Sequence, residues 1–111
     1  MEIKNIINFE EFEKIDLRIG RIIEAERVEG SDKIIKTVVD VGGERRQILA
    51  GIGKHYSPES LINKDIVIVI NLSPRKIMNF ESEGMILAVK DEENLSILTT
   101  DKIIKNGSII S

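Results

Sequence analysis

Apolar and polar residues alternate along several short stretches of this chain, and that spacing predicts β-strands with one buried face. In the first stretch the apolar positions are Ile15, Leu17 and Ile19, with polar residues between them. After Gly20 the apolar positions change phase, which indicates a bulge or a sharp bend within a long strand. The first predicted strand is therefore half buried and bent.

Two more strands follow, joined by a tight turn. Residues 34–41 are rich in β-branched side chains and predict the second strand. A Gly-Gly pair then predicts a hairpin turn, and residues 45–50 form the returning third strand. Alternation sends Arg45 and Arg46 to opposite faces, so at most one of them joins any one surface.

A short helix and two strongly apolar strands follow. Ser57 and Pro58 are typical of a helix start, with a serine cap and a proline in the first turn. The helix is expected to end near Asn63. Residues 66–72 and 85–89 predict the fourth and fifth strands.

Both ends of the chain carry additional predicted elements. Asn8 and Glu11 have the spacing of a capping box, which predicts a short helix over residues 9–14. An acidic turn at residues 91–94 precedes a sixth predicted strand at residues 95–98.

The order of three strands, a helix and two strands is typical of an OB-fold, a five-stranded Greek-key barrel with a short helix between strands three and four. We therefore predict an all-β protein of one domain over residues 1–111. Its core is expected over residues 12–90. An N-terminal extension would occupy residues 1–11, and a C-terminal extension residues 91–111.

The composition and the absence of known motifs exclude several classes of function. With 111 residues, 41% of them hydrophobic, the chain can bury one core, and it has no cysteine for disulfides, thiolate metal sites or nucleophiles. No apolar run approaches the roughly 18 residues that a membrane span needs, and the sequence does not begin like a secretion signal, so we expect a cytoplasmic protein without membrane contact. Nucleotide-loop, metal-ligand and catalytic patterns are absent, and the lone His55 is expected at the surface. We expect no enzyme, no cofactor and no metal.

Charge is unevenly distributed along the chain. The net charge is −3, yet residues 44–76 carry six Lys or Arg against three acidic residues. Residues 81–101 carry six acidic residues and one Lys. An acidic protein can therefore present one positive face to an anionic partner. Mixed surface charge that serves only solubility is the alternative explanation.

Residues 71–85, Asn-Leu-Ser-Pro-Arg-Lys-Ile-Met-Asn-Phe-Glu-Ser-Glu-Gly-Met, form the most informative stretch. A turn between buried strands needs residues such as Pro or Asn, but it does not need the adjacent cations Arg75 and Lys76. Arg supplies a planar fork that binds phosphate through two hydrogen bonds, and Lys supplies a mobile charge. We predict that this loop holds an anion such as a phosphate chain.

Four blocks of the sequence stand in the order and spacing of a known family. They are Asp-Leu-Arg-Ile-Gly-Arg-Ile at residues 16–22, Asp-Lys-Ile at residues 32–34, Arg-Gln-Ile-Leu-Ala-Gly-Ile at residues 46–52, and the paired segments 71–76 and 81–85. These blocks resemble the small tRNA-binding domains, and the resemblance covers about residues 12–88. The family includes free-standing dimers, a C-terminal domain or β subunit of methionyl-tRNA synthetases, and a bacterial secretion chaperone.

The resemblance implies binding of tRNA by its shape rather than its sequence, alone or as an accessory β subunit of methionyl-tRNA synthetase. It implies nucleic-acid contacts at Lys33, Asn71, Arg75, Lys76, Ser82 and Met85. Judged by residue type alone, Asn71 fits a structural strand end equally well, and Met85 fits a core position equally well. The scarcity of aromatic residues also favours shape recognition over base stacking.

Three positions depart from the family's pattern. Residues 28–31, Val-Glu-Gly-Ser, replace a loop that often contains His-Pro. Asn79 stands where Gly is frequent, and Asn tolerates positive φ better than most residues. Glu83 stands where Gln is frequent, which adds a negative charge near the predicted site.

The isoleucine-rich ends exceed what a bare five-stranded barrel needs. Because some free-standing members are homodimers, we predict a two-fold homodimer built partly from these ends. Two alternative functions remain: a peptide-binding chaperone like the secretion member, which needs an exposed apolar groove, and an interaction barrel that binds no nucleic acid.

Overall fold

The computed structural model describes all residues from Met1 to Ser111. Nine strands and two one-turn helices follow one another along the chain. Their bounds are α1 Phe9–Phe12, β1 Leu17–Arg27, β2 Ile35–Asp40, β3 Arg45–Ala50, α2 Pro58–Leu61, β4 Asp65–Val69, β5 Arg75–Ile77, β6 Phe80–Ser82, β7 Met85–Ile86, β8 Ala88–Lys90 and β9 Leu95–Ile97. None of the helices has the length or the apolar character to cross a lipid bilayer.

Five strands form one antiparallel sheet in the order β3-β2-β1-β4-β7. The long β1 pairs with β4 through its first half and with β2 through its second half, and its register shifts between Ile22 and Glu24. This bulge, close to Gly20, lets one strand bend around the barrel. The predicted all-β OB-type barrel, with a helix between its third and fourth strands, is confirmed.

The core is almost entirely aliphatic. Its twelve buried members are Ile22, Ile35, Val39, Val41, Ile48, Ala50, Ile52, Leu61, Ile66, Ile68, Ile86 and Ile97. The helix α2 contributes Leu61, and it starts as predicted with a Ser57 cap and Pro58 in its first turn. The single tyrosine, Tyr56, packs against this core, and its hydroxyl accepts a hydrogen bond of 3.1 Å from the N–H of Ile97.

The two ends of the chain have different structures. The predicted capping box between Asn8 and Glu11 is confirmed, although α1 ends two residues earlier than the predicted residue 14. Residues 107–110 run antiparallel to the start of β1 and exchange backbone hydrogen bonds with Leu17 and Ile19. The end of the chain therefore lies along the barrel as a short additional strand, which the sequence did not predict.

The segment after α2 differs most from the prediction. The fourth strand ends at Val69 instead of residue 72. The predicted fifth strand is divided at Leu87, whose N–H donates to Val67 of β4 and whose carbonyl accepts from Leu98. The pairing partner changes at Leu87: β7 before it pairs with β4, and β8 after it pairs with β9. The presence of β9 confirms the sixth predicted strand. The predicted loop at residues 71–85 contains a hairpin of its own, β5 and β6.

Gly20 is expected to tolerate no side chain, because a Cβ there would lie 2.6 Å from Cγ1 of Val39 and 3.2 Å from the carbonyl oxygen of Asp40. We expect Gly20→Ala to lower the free energy of unfolding by about 1–3 kcal/mol through overpacking, measured by urea denaturation. Gly51→Ala is the matched control, since its nearest neighbour is the flexible stem of Lys33. Equal stability of the two variants would contradict the close approach of β1 and β2.

Candidate nucleic-acid interface

The hairpin formed by β5 and β6 carries most of the predicted site. Its strands are joined by a two-residue turn, Met78 and Asn79, with φ values of 51° and 69°. Positive φ at both turn positions is the pattern of a type I′ turn, whose twist matches that of the paired strands. Asn79 thus keeps the turn that Gly would make, as expected, whereas a methionine in this conformation is unusual.

The two cations of the hairpin point to different sides. Arg75 lies opposite Ser82, and Lys76 lies opposite Glu81. Successive residues of a strand alternate between faces, so Arg75 and Lys76 occupy opposite faces of the hairpin. The Arg75 face is turned toward β3, because the hydroxyl of Ser82 accepts a hydrogen bond from the N–H of Leu49. Lys76 faces solvent instead, next to Glu81.

Arg75 borders a small cleft, which we call the Arg75 cleft. It has a volume of about 70 Å³ and is lined by Leu49, Leu72, Ser73, Arg75, Ile77, Ser82, Gly84 and Met85. Leu72 and Met85 are 46% and 44% exposed, so the cleft opens to solvent between apolar walls. Met85 therefore lies at the surface and not in the core. A guanidinium beside such walls can bind a phosphate through two parallel N–H donors.

Lys33 reaches the same side of the barrel from the start of β2. Its Cε lies 3.0 Å from the place where a Cβ on Gly51 would stand, so the lysine stem lies along this glycine. Gly51 follows Leu49 by two residues, just beyond the end of β3, so the two lie about 7 Å apart. Because Leu49 lines the Arg75 cleft, Lys33 and Arg75 flank the same end of β3.

Asn71 has a structural role in this arrangement. Its Oδ1 accepts a hydrogen bond of 2.8 Å from the N–H of Asp16, and its Nδ2 donates to the carbonyl oxygen of Lys14 at 2.6 Å. The side chain thus joins the end of β4 to the turn that precedes β1. Of the two interpretations of Asn71, the structural one agrees with these contacts.

Ser82 is buried, with 4% of its surface exposed. Besides accepting from Leu49, its hydroxyl donates to the carbonyl oxygen of Gly84 at 3.3 Å. Ser82 also lines the Arg75 cleft, and its contact with nucleic acid stays a prediction. The hydroxyl itself is engaged on both sides within the protein. It positions β6 on β3, and this role depends on a register that the sequence does not reveal.

Two further side chains near the hairpin hold it in place. The guanidinium of Arg46 donates to the carbonyl oxygens of Ile70 at 2.8 Å and Glu83 at 3.2 Å. The carboxylate of Glu83 accepts from the N–H of Gln47 at 3.0 Å, and the N–H of Glu83 donates to the Gln47 carbonyl at 2.7 Å. Gln at position 83 also has an oxygen that could accept this bond, so the departure at Glu83 keeps the contact and adds a charge.

The charged groups divide into paired and unpaired sets. The four ion pairs are Arg18–Asp16, Arg21–Asp65, Lys36–Glu26 and Arg46–Glu44. The hydrogen bond from Arg18 lowers the pKa of Asp16, which keeps that carboxylate ionised. Lys33, Arg75 and Lys76 take part in none of these pairs. The cations without carboxylate partners therefore include the three that the sequence analysis predicts as nucleic-acid contacts.

Comparison with known proteins identifies relatives over nearly the whole chain. A family model described as "Putative tRNA binding domain" matches residues 17–109. The methionine–tRNA ligase of Caldanaerobacter subterraneus subsp. tengcongensis is 57% identical over 105 residues, which cover 95% of this chain and 16% of the ligase. The corresponding ligase of Thermotoga maritima is 47% identical over 108 residues, covering 97% of this chain and 17% of the ligase. The chain thus spans about a sixth of the length of these relatives.

Solved structures show the same fold. A MetRS-related protein from Pyrococcus horikoshii superimposes with a TM-score of 0.91 at 29% identity, covering 97% of this chain and all of that one. The chaperone CsaA from Bacillus anthracis superimposes with a TM-score of 0.87 at 35% identity, covering 96% of this chain and all of that one. Both proteins are similar to this chain over their full length.

The structural role of Ser82 can be tested by removing its hydroxyl. We expect Ser82→Ala to lower the free energy of unfolding by about 1–3 kcal/mol, because the N–H of Leu49 would lose its partner. Chemical denaturation measures this change, and Ser73→Ala, an exposed position beside the same cleft, is the control. A Ser82→Ala protein as stable as the wild type would show that the hydroxyl does not hold the hairpin.

Proposed function

We propose a function from one premise: this chain belongs to the tRNA-binding domain family, whose model matches residues 17–109. It binds tRNA through the Arg75 cleft and the cations beside it, as a binding module rather than as an enzyme. The observation that supports this most strongly is the exposed guanidinium of Arg75, which has no carboxylate partner and flanks the same end of β3 as Lys33.

We propose that the protein contacts the sugar-phosphate backbone of tRNA and recognises its shape. It does not read the base sequence. The Arg75 cleft, at about 70 Å³, is far smaller than the roughly 300–1,000 Å³ of pockets that enclose a small molecule. No aromatic side chain lines it, so the stacking platform that single-stranded RNA requires is missing there. Phosphates of a folded RNA can be held by Arg75 and Lys33, with Lys76 reaching a neighbouring phosphate from the outer face of the hairpin.

The relatives suggest two settings for this binding. Methionine–tRNA ligases contain a region similar to this chain as about a sixth of their length. We propose that the chain acts in the cytoplasm on tRNA, alone or as an accessory β subunit of methionyl-tRNA synthetase. An attached tRNA-binding module raises the local concentration of tRNA at its partner enzyme without any new contact to the reacting groups.

We further propose that two copies of the chain form a two-fold homodimer. No residue of α1 is buried, and Phe9 is 70% exposed. Ile15, at 45%, and Ile109, at 68%, are also exposed, and Ile109 forms an isolated bridge with the start of β1. Exposed apolar residues from both ends of the chain thus lie near the start of β1, and a second copy would cover them.

A peptide-binding chaperone is the second candidate function. It is favoured by the similarity to the chaperone CsaA and by the exposed apolar side chains of Leu72 and Met85 at the Arg75 cleft. The two candidates differ in salt dependence, because phosphate contacts weaken steeply with salt and apolar peptide contacts do not. Binding of unfolded peptides, with no binding of tRNA at low salt, would replace the tRNA proposal.

The tRNA proposal is tested by filter binding of mixed tRNA, single-stranded RNA and duplex DNA at several salt concentrations. We expect Arg75→Ala to weaken tRNA binding about ten-fold and to reduce the slope of log affinity against log salt by about one, because one phosphate contact is lost. Lys90→Ala, an exposed lysine in the acidic region, is the control for a general charge effect. If the double variant of Arg75 and Lys76 binds as tightly as wild type, the site is wrong.

The dimer proposal is tested by sedimentation equilibrium. We expect a single species of about 25 kDa, twice the 12.5 kDa of one chain. Replacing Phe9 and Phe12 by Ser should shift the protein toward the monomer, because both rings are exposed in one chain. Leu72→Ser, an exposed apolar position at the Arg75 cleft, is the control and should leave the mass unchanged. A wild-type species of 12.5 kDa would rule out the dimer.

A further inference from the structure

A lysine of β2 contacts the β5–β6 hairpin close to its tip. The Nζ of Lys36 lies 4.3 Å from the centroid of the Phe80 ring, the first residue of β6. The same Nζ lies 2.8 Å from Oε1 of Glu26. An ammonium group over the face of an aromatic ring is attracted by the negative charge of that face. Glu26, Lys36 and Phe80 therefore form one contact, which we call the tip clamp.

The tip clamp joins the barrel sheet to the β5–β6 hairpin. Glu26 and Lys36 are direct partners in the β1–β2 ladder, so the sheet holds both of them. Phe80 belongs to the hairpin. The ammonium is shared between the carboxylate and the ring, and the lysine side chain is only 23% exposed. Lys36 is thus occupied inside the protein, unlike Lys33, Arg75 and Lys76.

Besides the tip clamp, a hydrogen bond of 3.0 Å from Nε2 of Gln47 to the carbonyl oxygen of Glu81 supports β6 beside Phe80. Ser82 and Glu83 anchor its opposite end to β3. Near the tip, a cleft of about 300 Å³ is lined by Glu26, Arg27, Val28, Glu29, Lys36, Met78 and Phe80. The space between the tip and the end of β1 is therefore not filled by close packing, and the tip clamp lies at its edge.

The position of Arg75 depends on β6. Strand β5 pairs with β6 alone, in a two-stranded sheet separate from the barrel. Any rotation of β6 on β3 therefore carries Arg75 with it. A contact that fixes the start of β6 also fixes where the guanidinium is presented.

From this geometry we propose that Lys36 is a positioning residue of the tRNA site, which acts through Phe80 on the placement of Arg75. The proposal rests on the tRNA-binding function proposed above. It assigns Lys36 no contact with RNA, because Glu26 neutralises its charge and the Phe80 ring covers it. A contact of this exposure is expected to change the equilibrium constant between hairpin positions by about two- to five-fold.

The proposal is tested by tRNA binding of Lys36→Met, Lys36→Arg and Phe80→Leu at several salt concentrations. Lys36→Met and Phe80→Leu are each expected to raise Kd by about two- to five-fold with an unchanged salt slope, since no phosphate contact is lost. Lys36→Arg keeps the charge over the ring and should bind like wild type. The double variant of Lys36→Met and Phe80→Leu should be no weaker than either single variant, because both remove one contact.

Two outcomes would overturn the proposal. A salt slope reduced by about one in Lys36→Met, with normal binding by Phe80→Leu, would make Lys36 a direct phosphate contact. Wild-type affinity in Lys36→Met would show that the clamp does not position the site.

A second measurement on the free protein separates this proposal from the proposed function. The N–H groups of Gln47 and Leu49 bond to Glu83 and Ser82, so their hydrogen exchange reports on how firmly β6 is docked. Lys36→Met should speed exchange at both N–H groups, and Lys36→Arg should not. If wild-type protein fails to bind tRNA while exchange responds in this way, the function is wrong and the clamp stands. Unchanged exchange in Lys36→Met would refute the clamp itself.

Discussion

At the outer edge of β3, backbone N–H groups donate hydrogen bonds to side-chain oxygens. The N–H groups of Gln47 and Leu49 donate to oxygens on the side chains of Glu83 and Ser82 instead of to another regular strand. An unpaired N–H at a buried sheet edge is costly, so these two oxygens complete the barrel. Because both belong to the segment that carries the hairpin, the closing of the barrel and the placement of Arg75 depend on the same bonds.

This arrangement explains why one stretch of sequence mixes scaffold and contact residues. Asn71 and Ser82 are engaged by the protein itself, whereas Arg75 and Met85 lie at an open cleft. Burial separates Ser82 from Arg75, because the two lie directly opposite each other in the hairpin and line the same cleft, but the Ser82 hydroxyl is turned inward to Leu49. Similarity across such a segment therefore identifies a functional region more reliably than it identifies each contacting side chain.

The sequence predicted the features that depend on local patterns. Period-two alternation located the barrel strands, and the caps at Asn8 and Ser57 located both helices. The β5–β6 hairpin was missed because its strands have three residues each and its turn at Met78 lacks the usual glycine. The role of Ser82 and the pairing of residues 107–110 with β1 were missed because both join segments distant in the chain. Such pairings form only when the barrel closes, and they leave no periodic pattern in the amino-acid sequence.

The environment of Tyr56 has a practical consequence for optical experiments. The chain has no tryptophan and a single tyrosine, whose hydroxyl is bonded to the N–H of Ile97 beside the core. Tyr56 lines a different cleft from Arg75. Tyrosine fluorescence of this protein therefore reports on the β9 side of the barrel, and RNA arriving at the hairpin has no tyrosine or tryptophan beside it. A fluorophore attached near the hairpin would be needed to follow that event by light.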